Sequence, residues 1–156
     1  MKYLKVIVSI MEEDSLNGVI YLKYEGAKKP MPLIHLPKDL DHKIVERLNE
    51  RIMEFFENRE DLKTKKVEIL DLNAEAIKAV FMFDKWKGEE KYWGEANTII
   101  TLLTTLSMKK IEEKISQLNP IFNKYLNRVI KLEKAEKQKE EYLKTLQDFK
   151  IKLISS

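Results

Sequence analysis

Cysteine is absent from this 156-residue chain, and glycine and proline each occur only four times. The lack of cysteine excludes disulfide bonds, thiolate catalysis, and zinc or iron-sulfur sites that are built on cysteine. The four glycines stand far apart, which excludes the glycine-rich loop that holds phosphate groups in nucleotide-binding proteins. No apolar run approaches the ~20 residues that a membrane-spanning helix needs. We therefore expect a soluble, cytoplasmic protein that has no membrane partner.

The remaining composition is typical of one folded domain. Hydrophobic residues make up 44% of the chain and charged residues 35%, so a chain of this length buries an ordinary core without metals or cross-links. Lysine outnumbers arginine by 25 to 4. This thermophile-like bias is reported for hyperthermophile proteins, and an AT-rich genome produces the same bias, so the sequence leaves both explanations open.

The C-terminal part differs from the rest of the chain. No glycine follows Gly94, and the 62 residues from Glu95 onward contain one proline, Pro120. Because glycine and proline mark turns, their scarcity predicts helices here. Residues 107–156 carry 12 Lys and Arg against 7 Asp and Glu, whereas residues 1–106 carry 17 against 19. We predict a compact α+β domain over 1–106 and a helical arm over 107–156, which together form a single structural unit.

Alternating apolar residues in the first part predict an antiparallel sheet. Asn17-Gly18 favours a reversal between the first two strands. The prolines at 30, 32 and 37 allow an extended segment between them only at a sheet edge, because proline has no backbone N–H to donate. The predicted strands are 3–10, 19–24, the extended edge 31–36, 67–72, 76–83 and 90–93.

One helix in the first part is predicted by an apolar stripe with a spacing of three and four residues. Asp39 or Asp41 is placed to cap it, and with Asp41 as the cap Leu40 and Val45 form a hydrophobic staple. The residues of the stripe are Ile44, Val45, Leu48, Ile52, Phe55 and Phe56.

Four segments of the C-terminal part either allow more than one secondary structure or predict an interruption of its helices. Residues 95–106 have the 3.6-residue period of a helix, although four threonines among them keep a strand as the alternative. Asn119-Pro120 predicts that one helix stops and another starts. Residues 133–141 lack large apolar side chains and predict a helical segment that water surrounds. Phe149, Ile151 and Leu153 alternate with lysines, which indicates a terminal strand as one option.

The predicted order of elements is strand, strand, extended edge, helix, strand, strand, helix. Over about residues 1 to 118 this order is similar to that of longin and roadblock-type adaptor domains. The similarity rests on the order alone, so it implies an adaptor-like fold and assigns no residue a role. The predicted fold class is α+β, with an antiparallel sheet backed by an amphipathic helix and a long C-terminal helical arm.

The first functional hypothesis is a non-enzymatic protein that self-associates or binds a partner protein, as an adaptor or a regulator. Two apolar groups are its predicted contact residues. An aromatic hairpin contributes Trp86, Tyr92 and Trp93; half-buried cross-strand pairing within the hairpin is the first interpretation of these residues, a protein interface the second and nucleic-acid binding the third. The helical arm contributes Phe122, Tyr125, Val129, Leu132, Tyr142, Leu143 and Leu146.

Two other hypotheses belong to different functional classes. A nucleic-acid-binding accessory protein would use Lys124, Arg128, Lys131 and Lys134, because lysine and arginine neutralise phosphates.

A metal-dependent hydrolase would use Asp71, Glu75 and Lys78, although the second acid and the lysine are three residues apart rather than the two that place side chains on one strand face. His42 beside Asp41 is a candidate general base, while a surface position in the first helical turn is the simpler interpretation. The sequence assigns no catalytic residue, cofactor or metal ligand.

Overall fold

The computed structural model describes residues 11–24, 31–58, 62–73, 76–87, 95–135 and 137–154. After a short 3₁₀ turn at Glu13–Ser15, these residues form five strands and three helices. The strands are β1 (Leu16–Tyr24), β2 (Met31–Leu36), β3 (Glu68–Asp71), β4 (Lys78–Lys87) and β5 (Glu95–Thr104). The helices are α1 (His42–Glu57), α2 (Met108–Lys134) and α3 (Lys139–Ile154).

All strand pairs of the sheet are antiparallel, in the order β2-β1-β5-β4-β3. The α+β fold class is therefore confirmed, and the observed strands overlap the predicted ones at 19–24, 67–72 and 76–83 and the extended edge 31–36. The predicted reversal at Asn17-Gly18 is wrong, because both residues lie inside β1, where the pairing with β5 shifts between Leu16 and Gly18. Among the described strands β2 lies at one edge, and its pairing with β1 shifts between Tyr21 and Leu22. The predicted strands 3–10 and 90–93 lie outside the described residues.

The sheet lies between two helical layers. On one face, Ile20, Phe81 and Ile99 pack against α1. On the other face, Ile100 and Leu102 belong to an apolar cluster shared with α2 and α3. Within this layer α2 crosses β4 and β5, while α3 lies over β1 and β2. The C-terminal helices thus fold back over the sheet, and the domain boundary at residue 106 stays a prediction.

The helix prediction for residues 95–106 is wrong, because this segment is β5. Ile99 and Leu103 face α1, whereas Ile100 and Leu102 face α2 and α3. A strand that is covered on both faces has apolar residues at odd and even positions, so its pattern loses the period of two. The threonines that kept a strand open as the alternative are typical of β-structure.

Helix α1 begins and packs as its stripe predicts. Asp41 is its N-cap, and the Asp41 carboxylate accepts a hydrogen bond of 2.9 Å from the backbone N–H of Lys43. On the flank of α1, Arg47 and Arg51 donate from Nε to the backbone carbonyls of Leu72 and Asp71. These two bonds join α1 to the end of β3 and fix the helix across the sheet.

The predicted break at Asn119-Pro120 is wrong, since α2 runs through it without interruption. Pro120 is exposed, while Leu118 and Phe122 are buried on the other side of the helix. The Asn119 side chain accepts from the backbone N–H of Val67 at 3.1 Å instead of capping a new helix. Burial of the continuous stripe outweighs the one intrahelical hydrogen bond that proline cannot donate.

Two predictions near the C-terminus also need correction. α2 ends at Lys134 and α3 starts at Lys139, so residues 133–141 are not one solvated helix, and Glu133 is buried. The terminal strand is wrong, because α3 continues to Ile154. Phe149 and Leu153 are four residues apart and fully covered, which is the spacing of one helix face.

Candidate interaction surface

The apolar contact residues predicted in the helical arm lie mostly inside the protein. Phe122, Tyr125, Val129 and Leu146 are buried, and Leu132, Tyr142 and Leu143 are half-buried. Phe122 meets Phe149 edge to face with ring centroids 5.0 Å apart. These side chains hold α2, α3 and the sheet together, so a partner would have to displace the helices to contact the four buried ones.

The aromatic hairpin prediction falls largely on residues that the structure does not describe. The backbone of Trp86 belongs to β4, where it pairs with Ala96 of β5. Tyr92 and Trp93 lie outside the described residues. The contact role of these three residues therefore stays a prediction.

The basic residues predicted on α2 lie on its outer side. Lys124, Lys131 and Lys134 are exposed, and the Arg128 side chain exposes 38% of its surface. Lys124, Arg128 and Lys131 follow at steps of four and three residues, so they form one row along the helix. Their predicted binding to nucleic acid stays a prediction.

A second row, on α3, faces the first. Arg128 Nη2 donates to Asp148 Oδ2 at 3.0 Å, which joins the two helices at their surface. Lys144 and Lys152 stand four residues before and after Asp148, so they share its side of α3. We call the surface formed by the two rows the basic face; it consists of Lys124, Arg128, Lys131, Lys144, Asp148 and Lys152.

The antiparallel course of α2 and α3 sets the arrangement of the basic face. Lys124 lies at the end near Lys152, and Lys131 lies at the end near Lys144, with the Arg128–Asp148 pair between them. At 1.5 Å rise per residue the rows are about 10 to 12 Å long, and packed helices lie about 8 to 10 Å apart. Five cations and one carboxylate thus share an area smaller than most protein interfaces.

Tyr125 supports the cations from below. Its ring centroid is 5.2 Å from Arg128 Cζ and 5.5 Å from Lys124 Nζ, while Tyr125 itself is only 5% exposed. Cations over an aromatic face are attracted by its quadrupole. Tyr125 therefore restrains the guanidinium of Arg128 at the surface and does not offer its own ring for stacking.

A second polar group is buried between the helices α2 and α3 and the sheet. Glu133, near the end of α2, accepts a hydrogen bond from the Tyr21 hydroxyl through Oε1 and one of 2.8 Å from Thr98 Oγ1 through Oε2. The Tyr142 ring of α3 stacks on Tyr21, with centroids 5.3 Å apart and planes 5° from parallel. Sequence reasoning missed this group because it assigned Glu133 to a solvated segment.

The environment of this buried group affects its tyrosines. Burial, followed by the nearby charge of Glu133, raises the pKa of Tyr21 far above its usual value. The same two causes raise the pKa of Tyr142, with a further contribution from Glu141. Both hydroxyls therefore keep their protons, and Tyr21 remains a donor to the carboxylate. Tyr21 is 3% and Thr98 0% exposed, so the arrangement fastens α2 and α3 to the sheet.

The candidate hydrolase residues are not brought together by what the structure describes. Asp71 accepts from the backbone N–H of Asn73 at 2.8 Å, and Lys78 Nζ donates to the carbonyl of Ala76 at 3.1 Å. Glu75 lies outside the described residues, so this hypothesis stays untested. In the part of the chain that is described, no group of three His, Asp or Glu side chains is placed to hold a metal ion.

His42 occupies the surface position that was the simpler interpretation. Its side chain is 84% exposed, and its Nε2 is 2.8 Å from Glu46 Oε1, four residues along α1. Asp41, the candidate partner of a general base, instead caps the helix.

No protein-family model matches the chain, and no curated protein matches it. Of the helices in the described ranges, none is long and apolar enough to cross a membrane.

Proposed function

We propose that this chain is a non-enzymatic interaction protein, of adaptor or regulatory type, that binds a negatively charged partner protein through the basic face. The observation that supports the proposal is the gathering of four lysines around the surface ion pair of Arg128 and Asp148 on α2 and α3. A surface with an excess of one charge attracts partners of the opposite charge and speeds their association. Action in the cytoplasm and without a cofactor belongs to the same proposal.

Because the predicted apolar contact residues of α2 and α3 are buried or half-buried, the proposed contact with a partner lies on the outer side of these two helices instead of their inner side. Phe122 and Val129 are already covered by the chain itself, whereas Lys124 and Lys131 face solvent. Ile151, 60% exposed on the outer side of α3, adds apolar area next to the lysines. A small, polar surface of this kind is typical of a transient interface rather than an obligate one.

Self-association through the basic face is disfavoured by its charge. Two copies that met face to face would oppose cations to cations, and such like-charge contact costs several kcal/mol. A homodimer would therefore have to form through another surface. Light scattering on the purified chain measures its oligomeric state directly. A monomer at all concentrations would remove self-association from the proposal.

The proposal is tested with a fluorescent polyglutamate peptide of about ten residues at low salt. Replacing Lys124 and Lys131 by glutamine removes two charges from the basic face, and we expect a threefold to tenfold loss of affinity, about 0.7 to 1.4 kcal/mol. The matched control replaces Lys63 and Lys66, which are exposed ahead of β3, and we expect less than a twofold change. Equal losses in both variants, or no binding by the unmodified chain, would contradict the proposal.

Nucleic-acid binding is the alternative, because Lys124, Arg128, Lys131 and Lys134 are accessible to phosphates as well as to carboxylates. Single-stranded nucleic acids also require exposed aromatic rings on which bases stack, and Tyr125 is covered. A salt titration with a single-stranded oligonucleotide decides between the two. Affinity that exceeds that for polyglutamate and falls steeply with salt would favour the alternative.

A further inference from the structure

Asp148 occupies the centre of the basic face, where an acidic group of a partner would be attracted most strongly. It carries the opposite charge to the lysines around it, and its side chain is 37% exposed. Its hydrogen bond to Arg128 crosses from α3 to α2. A carboxylate of the chain itself therefore lies where the proposed function requires a carboxylate of the partner.

The contact between Asp148 and Arg128 uses only part of what the arginine offers. A guanidinium has five N–H donors in a planar fork, and carboxylates commonly bind two of them in parallel. Within the described residues, Arg128 bonds Asp148 through a single N–O pair, Nη2 to Oδ2. The side chain of Arg128 is 38% exposed, so a second carboxylate has access to the fork.

Tyr125 keeps the guanidinium in place whichever carboxylate binds it. The Arg128 Cζ lies 5.2 Å from the centroid of the tyrosine ring, so the ring covers one side of the group and leaves its edge free. Asp148, by contrast, has lysines four residues before and after it on its own helix, at the spacing at which opposite charges pair. Lys144 and Lys152 are therefore alternative partners for Asp148 on its own helix.

From this geometry we propose that Asp148 is an internal competitor for Arg128. In the free chain Asp148 occupies the guanidinium, and in the complex a carboxylate of the partner protein takes its place through two parallel hydrogen bonds. Asp148 thereby lowers the affinity of the basic face and restricts binding to partners that present a well-placed carboxylate. This inference rests on the proposed function and names the residue that tunes it.

The test compares the binding of the fluorescent polyglutamate peptide by the full-length chain and by Asp148→Asn. Asp148→Asn removes the ion pair with Arg128 and a negative charge that repels the peptide, so we expect this variant to bind about threefold to tenfold more tightly. The matched control is Glu50→Gln, which removes the partner of Arg47 in an ion pair of 2.9 Å on α1, on the opposite face of the sheet. Because both variants change the net charge equally, we expect less than a twofold gain from the control.

A second pair of variants isolates the role of Arg128. Lysine keeps the charge of arginine but lacks its fork, so in an Arg128→Lys background we expect Asp148→Asn to give less than half of its gain in affinity. The same gain in both backgrounds would show that Asp148 acts only through overall charge and would overturn the inference.

Each other outcome also has a defined meaning. If the unmodified chain binds polyglutamate and Asp148→Asn binds no tighter, the internal competitor is refuted and the proposed function stands. If the unmodified chain does not bind polyglutamate, the proposed function fails and the inference fails with it. If an oligonucleotide of equal charge binds more tightly than the peptide and gains equally in Asp148→Asn, the face binds nucleic acid and the inference is overturned.

Discussion

Two threonines of β5 provide a stringent test of how α2 and α3 are held on the sheet. Thr98 and Thr101 are both 0% exposed and lie in the same central strand. Thr98 Oγ1 donates to the buried carboxylate of Glu133 at 2.8 Å, whereas Thr101 Oγ1 has no hydrogen-bond partner among the described residues. Replacing each threonine by valine removes one hydroxyl and changes the shape of the side chain very little.

The expected energies differ in size and in sign. A hydrogen bond to a charged group contributes about 1.5 to 3 kcal/mol to stability, so we expect Thr98→Val to lower the free energy of unfolding by about that amount. Thr101→Val removes a hydroxyl that is buried without a partner. Burying such a group costs about 1 to 3 kcal/mol in protein mutational data, so we expect this change to be neutral or stabilising.

Urea unfolding followed by circular dichroism measures both changes. For a chain of this length, 1 kcal/mol moves the melting temperature by about 2 to 4 °C, so Thr98→Val is expected to melt about 3 to 12 °C lower. The slope of the free energy of unfolding against urea concentration should be the same in both variants, because unfolding exposes the same surface area in each. Equal losses from the two variants, or a larger loss from Thr101→Val, would refute the assigned role of Glu133.

Three further outcomes follow from the same contacts. Since burial raises the pKa of Tyr21 and Tyr142 above their usual value near 10, the stability that depends on their protonated form is complete below pH 10. This stability falls as the pH rises further. The decrease in the free energy of unfolding between pH 9 and 11, measured by urea unfolding, should therefore be smaller in Tyr21→Phe than in the unmodified chain. Phe149→Ala should cost about 3 to 5 kcal/mol in urea unfolding, whereas Ile151→Ala, at an exposed site, should stay within about 0.5 kcal/mol. Pro120→Ala should raise the melting temperature, because alanine restores a backbone donor inside α2; an unchanged or lower value would contradict this.

Helix α1 and strand β4 show what the sequence predicts well. Each presents its apolar residues with one clear period or in one run, and each is bounded by charged or capping residues such as Asp41. Strand β5 is hard to predict from the sequence, because helices cover both of its faces. Ile99 and Ile100 are then buried on opposite sides, and the sequence alone does not show how many layers the sheet has.

The predictions for the C-terminal helices are wrong at the places where local sequence patterns and burial favour different structures. Pro120 favours a break, yet it lies on the exposed side of a helix whose other side is fully covered. The alternation of Phe149, Ile151 and Leu153 resembles a strand, although only Ile151 is exposed and the other two share a buried face. In both places the burial of a stripe against the sheet outweighs the local preference.

The candidate site was predicted in part. The row of Lys124, Arg128 and Lys131 follows from helical spacing alone. Its counterpart on α3 does not, because Asp148 meets Arg128 only when the two helices fold against each other. Phe122, Tyr125, Val129 and Leu146, which were predicted as contacts, are buried, since an apolar stripe does not reveal whether its own chain or a partner covers it.

The most direct test of the basic face is a map of amide chemical shifts in the ¹⁵N-labelled chain as polyglutamate is added. We expect the largest changes at residues 124–131 of α2 and 144–152 of α3, with the amides of α1 unaffected because α1 lies on the other face of the sheet. The side-chain Nε resonance of Arg128 should move together with those amides. Changes confined to α1 or to the edge strands, with α2 and α3 silent, would contradict the assignment of this surface as the binding site.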